Sequence, residues 1–159
     1  MTDTDTRLQA MEDRFALLDL EADYAAHWDF GRAREWAGLF TEKGSFEMLP
    51  AGPLPAFVAT GHEELQAFCD NINQRWQGLH FMHPPRLRMA GDTASATIFF
   101  EFRHVMHDGN GHTRQGLTAG YYEVDYQRTA AGWRIARRVE QAVFDNTDNS
   151  FAFTRAASP

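Results

Sequence analysis

Asp29 is a carboxylate where the surrounding pattern asks for an apolar side chain. Leu8, Met11, Phe15, Leu18, Ala22 and Ala25 recur at steps of three and four, which is one stripe of an amphipathic helix. Four residues on, the same stripe reaches Asp29, so a helix of that length points this carboxylate inward. A carboxylate so placed is hydrogen-bonded, ion-paired or kept for proton transfer. It could equally close the helix by accepting backbone N–H groups in the turn at Gly31. Its chemical use needs an imidazole partner, because a neutral histidine is a good base near pH 7 only when one tautomer is held and its cation is supported.

Seven histidines are available. His27 lies two residues before Asp29 and faces away from the stripe on a helix. His104, His107 and His112 surround a hairpin turn with Asp108, but their spacing matches no tetrahedral ligand set, so no metal is expected. His80 and His83 fall in a segment rich in aromatic residues, where alternation would send them to opposite sides. Cys69 reads as core, with no activating base beside it. Gly109, Asn110 and Gly111 form a turn with no helix after it, which is not a phosphate loop.

The elements that must position these groups follow from periodicity and punctuation. A first helix is expected from about Thr6 to Trp28, with Asp3 to Thr6 as possible caps, and Gly31 interrupts it. A short second helix covers Ala33 to Leu39, and Gly44 to Leu49 alternates as a strand. The run PAGPLP, 50–55, is an irregular loop. A third helix follows Gly61, with Leu65, Phe68, Cys69, Ile72 and Trp76 at helical spacing. From Gly78 onward, His80 to Met89, Ala94 to Met106, Thr113 to Arg128 and Trp133 to Phe144 read as strands separated by turns. Helices first and a strand meander afterwards predict an α+β fold, a curved, mainly antiparallel sheet with the helices on one face.

Bulk properties narrow the partners. The 159 residues fit one domain, 1–159, with a core over about 8–144 and a loose tail from 146 to 159 that carries Phe151 and Phe153. A net charge of −7 repels nucleic acid and anionic membrane, so neither is an expected partner. One cysteine excludes an intrachain disulfide and, with no signal peptide or apolar run, gives a cytoplasmic reading. Thirteen Phe and four Trp signal either an aromatic core or a ring-lined cavity.

Several short motifs fall in a shared order. Asp29-x-Gly31 is followed by Leu39-Phe40, then Gly61 opening a helix, His80-Phe81, Gly91-Asp92-x-Ala94, Gly120-Tyr121-Tyr122 and Gly132-Trp133-Arg134-Ile135. Together, over residues 8 to 144, they resemble the SnoaL-like, nuclear transport factor 2-like superfamily. The resemblance implies a cone in which a bent sheet wraps a deep pocket closed by N-terminal helices. It is nearest to the scytalone dehydratase, bile acid dehydratase and hexachlorocyclohexane dehydrochlorinase branch, in which an Asp at the end of the first helix orients a His on the sheet. Asp29 and His80 occupy those positions. Tyr24 matches a Tyr five residues before the Asp, and Arg138 matches an Arg five residues after the Trp of the last strand.

These four residues compose a set for proton abstraction next to a carbonyl, followed by elimination or isomerisation. His80 would be the base and Asp29 its orienter; Tyr24 would donate to an oxygen and Arg138 would stabilise negative charge. Neither metal nor cofactor is required. Each residue also has a plain reading: His80 a satisfied core histidine, Tyr24 packing, Arg138 a solvated charge. Strand parity places Arg138 with Arg134 and Ala136, opposite Trp133, Ile135 and Val139, and His80 with Arg86 and Arg88. A bulge in the last strand, or a break at Pro84-Pro85, would reset either register.

Phe46, Met48, Met82, Phe100 and Tyr122 are the expected wall of a site for a small hydrophobic substrate. The functional expectation is therefore a dehydratase-type lyase or an isomerase acting on a cyclic compound. The alternatives are a non-catalytic small-molecule binding protein, a subunit like the small subunits of ring-hydroxylating dioxygenases, and a polyketide cyclase or epoxide hydrolase. Apolar residues of both parities in Ala96 to Phe102 predict a strand covered on both sides, hence a homodimer or homotrimer.

Overall fold

The computed structural model describes residues 2–51, 55–107 and 112–145. The helices come first: α1 (Asp3–Asp29), α2 (Ala33–Ala37) and, after two strands, α3 (Gly61–Asn73). The strands are β1 (Phe40–Met48), β2 (Phe57–Thr60), β3 (Trp76–Met82), β4 (Arg86–Ala90), β5 (Thr93–His107), β6 (Thr113–Thr129) and β7 (Gly132–Asp145). They form one curved, unclosed sheet in the order β2-β1-β7-β6-β5-β3, with β4 also paired to β5. All pairings are antiparallel except β1 with β7. The α+β architecture is the expected one. Residues 52–54 of the loop 50–55, the turn at 108–111 and the tail from 146, with Phe151 and Phe153, lie outside the described residues.

Helix α1 begins earlier than the periodicity predicts, because Thr2 caps it. The Asp5 N–H donates to Thr2 Oγ1 at 3.1 Å, while the Thr2 N–H donates to Asp5 Oδ2 at 2.8 Å. It ends where Gly31 adopts φ +64°, a conformation that costs other residues a clash at Cβ.

Its buried face corrects the sequence reading. Leu8, Met11, Phe15 and Ala22 are exposed, and the buried residues are Asp13, Leu17, Leu20, Glu21, Tyr24 and Trp28. The face turned to the sheet thus carries two acids, and each is matched. Asp13 accepts from Arg128 of β6 at 2.7 Å and from Trp133 Nε1 at 3.2 Å. Glu21 accepts from Arg138 of β7 at 2.9 and 3.0 Å and from the Tyr126 hydroxyl at 2.8 Å. The rival apolar stripe has no element against it, so it stays in solvent.

Other differences are local. Helix α2 stops at Ala37, two residues short of expectation, and β1 starts at Phe40 rather than Gly44. The short β2 was not expected. The segment from His80 to Met89 is two strands, broken at 83–85 where Pro84-Pro85 offers no N–H to a ladder. In β3 the even residues face the helices, leaving Leu79 and Phe81 exposed, whereas in β4 the odd residues Leu87 and Met89 turn inward.

A second reset occurs in β7. Tyr126 pairs with Ile135 but Asp125 pairs with Arg137, so Ala136 is the extra residue of a bulge. Ile135 and Arg138, of opposite parity, therefore both turn inward and are fully buried. Another shift lies between Ala119 and Gly120. A Cβ on Gly120 would meet the Gln141 carbonyl oxygen at 2.0 Å, so only glycine fits there.

Removing one partner of a buried ion pair strands the other charge. Glu21→Gln should therefore lower unfolding stability by about 3 kcal/mol, read from urea midpoints, and the double variant Glu21→Leu/Arg138→Met should recover most of that loss. The hydrogen bond from Arg128 holds the Asp13 carboxyl below the usual carboxylate range. That stabilisation is complete above an unfolded aspartate pKa of about 4 and fades as pH falls through the lower folded value. Asp13→Asn should flatten this acid limb in the same measurement.

Candidate active site

The helices and the concave side of the sheet enclose a cavity of about 300 Å³, at the small end for a ligand pocket. Its wall is mostly rings, contributed by α1 (Tyr24, Trp28), α3 (Phe68), β3 (Trp76), β5 (Phe100, Phe102) and β6 (Tyr122). His80 of β3 is the imidazole among them.

Asp29, the last residue of α1, clasps that histidine twice. His80 Nδ1 lies 2.6 Å from Asp29 Oδ1, and the backbone N–H of His80 donates to Oδ2 at 2.8 Å. Both side chains are nearly enclosed, at 5% and 8% exposure. A carboxylate offers only acceptors, so Nδ1 carries the hydrogen and Nε2 is left with its lone pair. The turn at Gly31 makes no claim on Asp29: its N–H and that of Arg32 donate to the Trp28 and His27 carbonyl oxygens at 3.0 and 2.8 Å. The ring is held from the sides as well. Phe102 stacks on it at 4.5 Å between centroids, and Tyr24 and Trp28 meet it edge-on at 6.4 and 6.2 Å.

Tyr24 lines the cavity, and burial pushes its phenol well above the ordinary tyrosine value. It therefore stays a neutral hydrogen-bond donor. Arg138 is absent from the cavity wall. Its guanidinium carbon lies 3.5 Å from the centre of the Tyr24 ring and 4.0 Å from that of Tyr122, behind both. Nε and Nη2 have no hydrogen-bond acceptor; the ring faces stand in as cation–π partners. Contact between Arg138 and a ligand is thus blocked, and it acts on the cavity through its field on the two tyrosines and on Glu140.

Of the expected wall residues, Phe46, Met48, Phe100 and Tyr122 line the cavity and Met82 does not. Met82 packs against the core behind it, one inward position beyond His80 on β3. His83 is exposed, and His104 is buried between Trp76 and Phe102. Burial raises the Cys69 thiol to about 12, in keeping with a core role.

Glu140, which the sequence leaves open between pocket mouth and surface, lines the cavity. Burial raises its carboxyl to about 7 against the opposing pull of Arg138. The sequence signal was faint: Glu140 shares parity with Arg138, but only the bulge at Ala136 turns that pair inward.

The sequence model of the SnoaL-like domain matches residues 9–139. No curated protein matches the chain in sequence. Among solved structures, a candidate aromatic ring hydroxylase from Novosphingobium aromaticivorans superposes with a TM-score of 0.74 at 26% identity, over 84% of this chain and 91% of that one. A candidate scytalone dehydratase from the same organism gives 0.71 at 22% identity, over 89% of each chain. A type-3 hexachlorocyclohexane dehydrochlorinase from Novosphingobium barchaimii LL02 gives 0.75 at 18% identity, over 87% and 92%. The last two likenesses are of fold, and with the sequence match over most of the length they fix the classification: the chain belongs to the SnoaL-like domain family.

Proposed function

We propose that the protein is a cofactor-independent lyase of dehydratase type, or an isomerase, acting on a small hydrophobic, cyclic molecule by proton abstraction. The observation that carries this reading is the contact of 2.6 Å between Asp29 and His80, with His80 on the wall of an apolar cavity. His80 takes a proton from a substrate carbon through Nε2. Asp29 holds the ring in the required tautomer and stabilises the imidazolium as it forms. Tyr24 donates a hydrogen bond to a substrate oxygen. Arg138 is a positioning residue that polarises Tyr24 and Tyr122 from behind. Phe46, Met48, Phe100 and Tyr122 supply apolar contact to the ring system. Solved dehydratase- and dehydrochlorinase-type structures of the same fold support the reaction class.

Asp29→Asn and His80→Ala should each reduce kcat/KM by about 100-fold or more while far-ultraviolet circular dichroism and the thermal midpoint stay near wild type. Near-full activity of either folded variant on an identified substrate would remove the dyad from the mechanism.

The outer sheet face favours self-association. Leu79, Phe81, Phe99 and Val143 are exposed there on three strands, and exposed apolar side chains gathered on one face mark a site of association. Phe99 in particular is open in the single chain, so the two-sided cover expected for β5 would have to come from another molecule. A homodimer or homotrimer is the proposed state, and Phe99→Glu should shift the mass measured by light scattering toward the monomer. Co-purification of the natural protein with a larger subunit instead would favour a subunit of a ring-hydroxylating enzyme, the alternative raised by the hydroxylase likeness.

A further inference from the structure

The dyad supplies a base, but losing water from a substrate also needs an acid. Hydroxide is a poor leaving group, and the oxygen must gain a proton as its bond to carbon breaks. Tyr24 does not fill that role, because burial holds its proton too tightly. Arg138 does not reach the cavity. One further proton-bearing group stands on the wall. Glu140 lies three strands from His80, since β7, β6, β5 and β3 are successive in the sheet, and the curvature brings both onto the same cavity.

Its surroundings are built. Met48, Glu140 and Tyr122 are side by side in register across β1, β7 and β6, and all three face the cavity. Tyr122 stacks on Phe100 at 4.3 Å and meets Tyr24 at 5.9 Å, and each of those rings is within 6.4 Å of the His80 ring. Phe100, Tyr122 and Tyr24 thus line the cavity between His80 and Glu140.

The charged and titratable groups around Glu140 are few. Arg138 on its own strand favours the carboxylate, and Asp145 further along the strand disfavours it. Tyr122 of β6 and Tyr24 of α1 stay neutral through burial. Glu21 is engaged by Arg138 and Tyr126, and Arg75 and His80 complete the titratable groups of the wall, which also carries the neutral Asn71 and Thr118. Burial outweighs Arg138 and leaves the carboxyl titrating at about 7.

We infer that Glu140 is the catalytic acid of the cavity, and that the substrate class is a cyclic alcohol whose hydroxyl departs as water rather than a halide. This rests on the dyad reading above. In the step, His80 Nε2 takes the proton from carbon, and that C–H electron pair becomes the new C=C bond. The C–O bond breaks, its electrons stay on oxygen, and oxygen receives the Glu140 proton and leaves as water. His80 is then an imidazolium and Glu140 a carboxylate; one proton lost to solvent and one gained restore both. A departing halide would need no such proton, so a neutral carboxylic acid opposite the base selects for oxygen.

Two measurements test this. Infrared titration of the unliganded protein should show a carboxylic-acid carbonyl band that is present at pH 6, disappears through about pH 7 and is missing in Glu140→Gln. A wild-type protein without such a band would overturn the inference whatever the fate of the dyad. Wild type and Glu140→Gln are then assayed on 3-hydroxycyclohexanone and on γ-hexachlorocyclohexane. Wild-type dehydration should decline as pH rises through about 7, since the acid form is the active one. The variant should lose about 100-fold in dehydration together with that limb. Unimpaired dehydration in the variant, survival of the pH limb in it, or a wild type active only on the chloride or on neither would overturn it. An active Asp29→Asn enzyme that keeps the infrared band and the pH limb would sink the dyad alone.

Discussion

A carboxylate on the buried face of α1 has to be matched by a base on the sheet, and the helix carries three of them. Asp13, Glu21 and Asp29 are each eight residues apart, about 12 Å along the helix axis per step. Each meets a different strand: Arg128 of β6, Arg138 of β7 and His80 of β3. Eight residues exceed two helical turns by about 80°, so the row of acids winds around the helix as the sheet curves beneath it. One register of helix against sheet satisfies all three charges, and sliding α1 by a turn would strand them in a low-dielectric interface. The first two contacts hold the helix in place. The third, at the open end of the helix, is the one that borders the cavity.

Burial sorts these contacts by what they can do. Arg138 is wholly enclosed, bonded to Glu21 and roofed by Tyr24 and Tyr122, so its charge is spent on holding the wall together. His80 is bonded on one ring nitrogen only, and its face is set by stacking on Phe102. The same kind of acid–base contact is therefore architectural at one end of α1 and chemically poised at the other. What separates them is whether a ring edge remains free toward the cavity.

The register breaks have functional weight of their own. Without the bulge at Ala136, the strand that buries Trp133 and Ile135 would send Arg138 and Glu140 into solvent. The cavity would then lose the group behind its tyrosines and the carboxyl on its wall together. The break at Pro84-Pro85 acts similarly, letting β3 present His80 inward while β4 presents Leu87 and Met89.

Much of this was legible in the chain itself. Gly31, Gly61, Gly91 and Gly132 mark the ends of elements because their backbone angles are ones only glycine takes freely, and the helical and alternating periods on either side name the element types. Asp29 was reached along a stripe that the fold leaves mostly in solvent, so its place at the helix end, not that periodicity, was the sound clue. Which of two helix stripes would be buried could not be read, because Asp13 and Glu21 look like surface residues until Arg128 and Arg138 arrive from a hundred residues away. Nor could strand parity be carried across an irregularity, which is why Arg138 stayed ambiguous, Met82 was placed on the wall and Glu140 stayed open between pocket mouth and surface. Local sequence set periods, breaks and caps, since these depend on neighbours within one turn or one strand. Tertiary structure alone decided which face met which, because that choice is settled by long-range pairing of charge and shape.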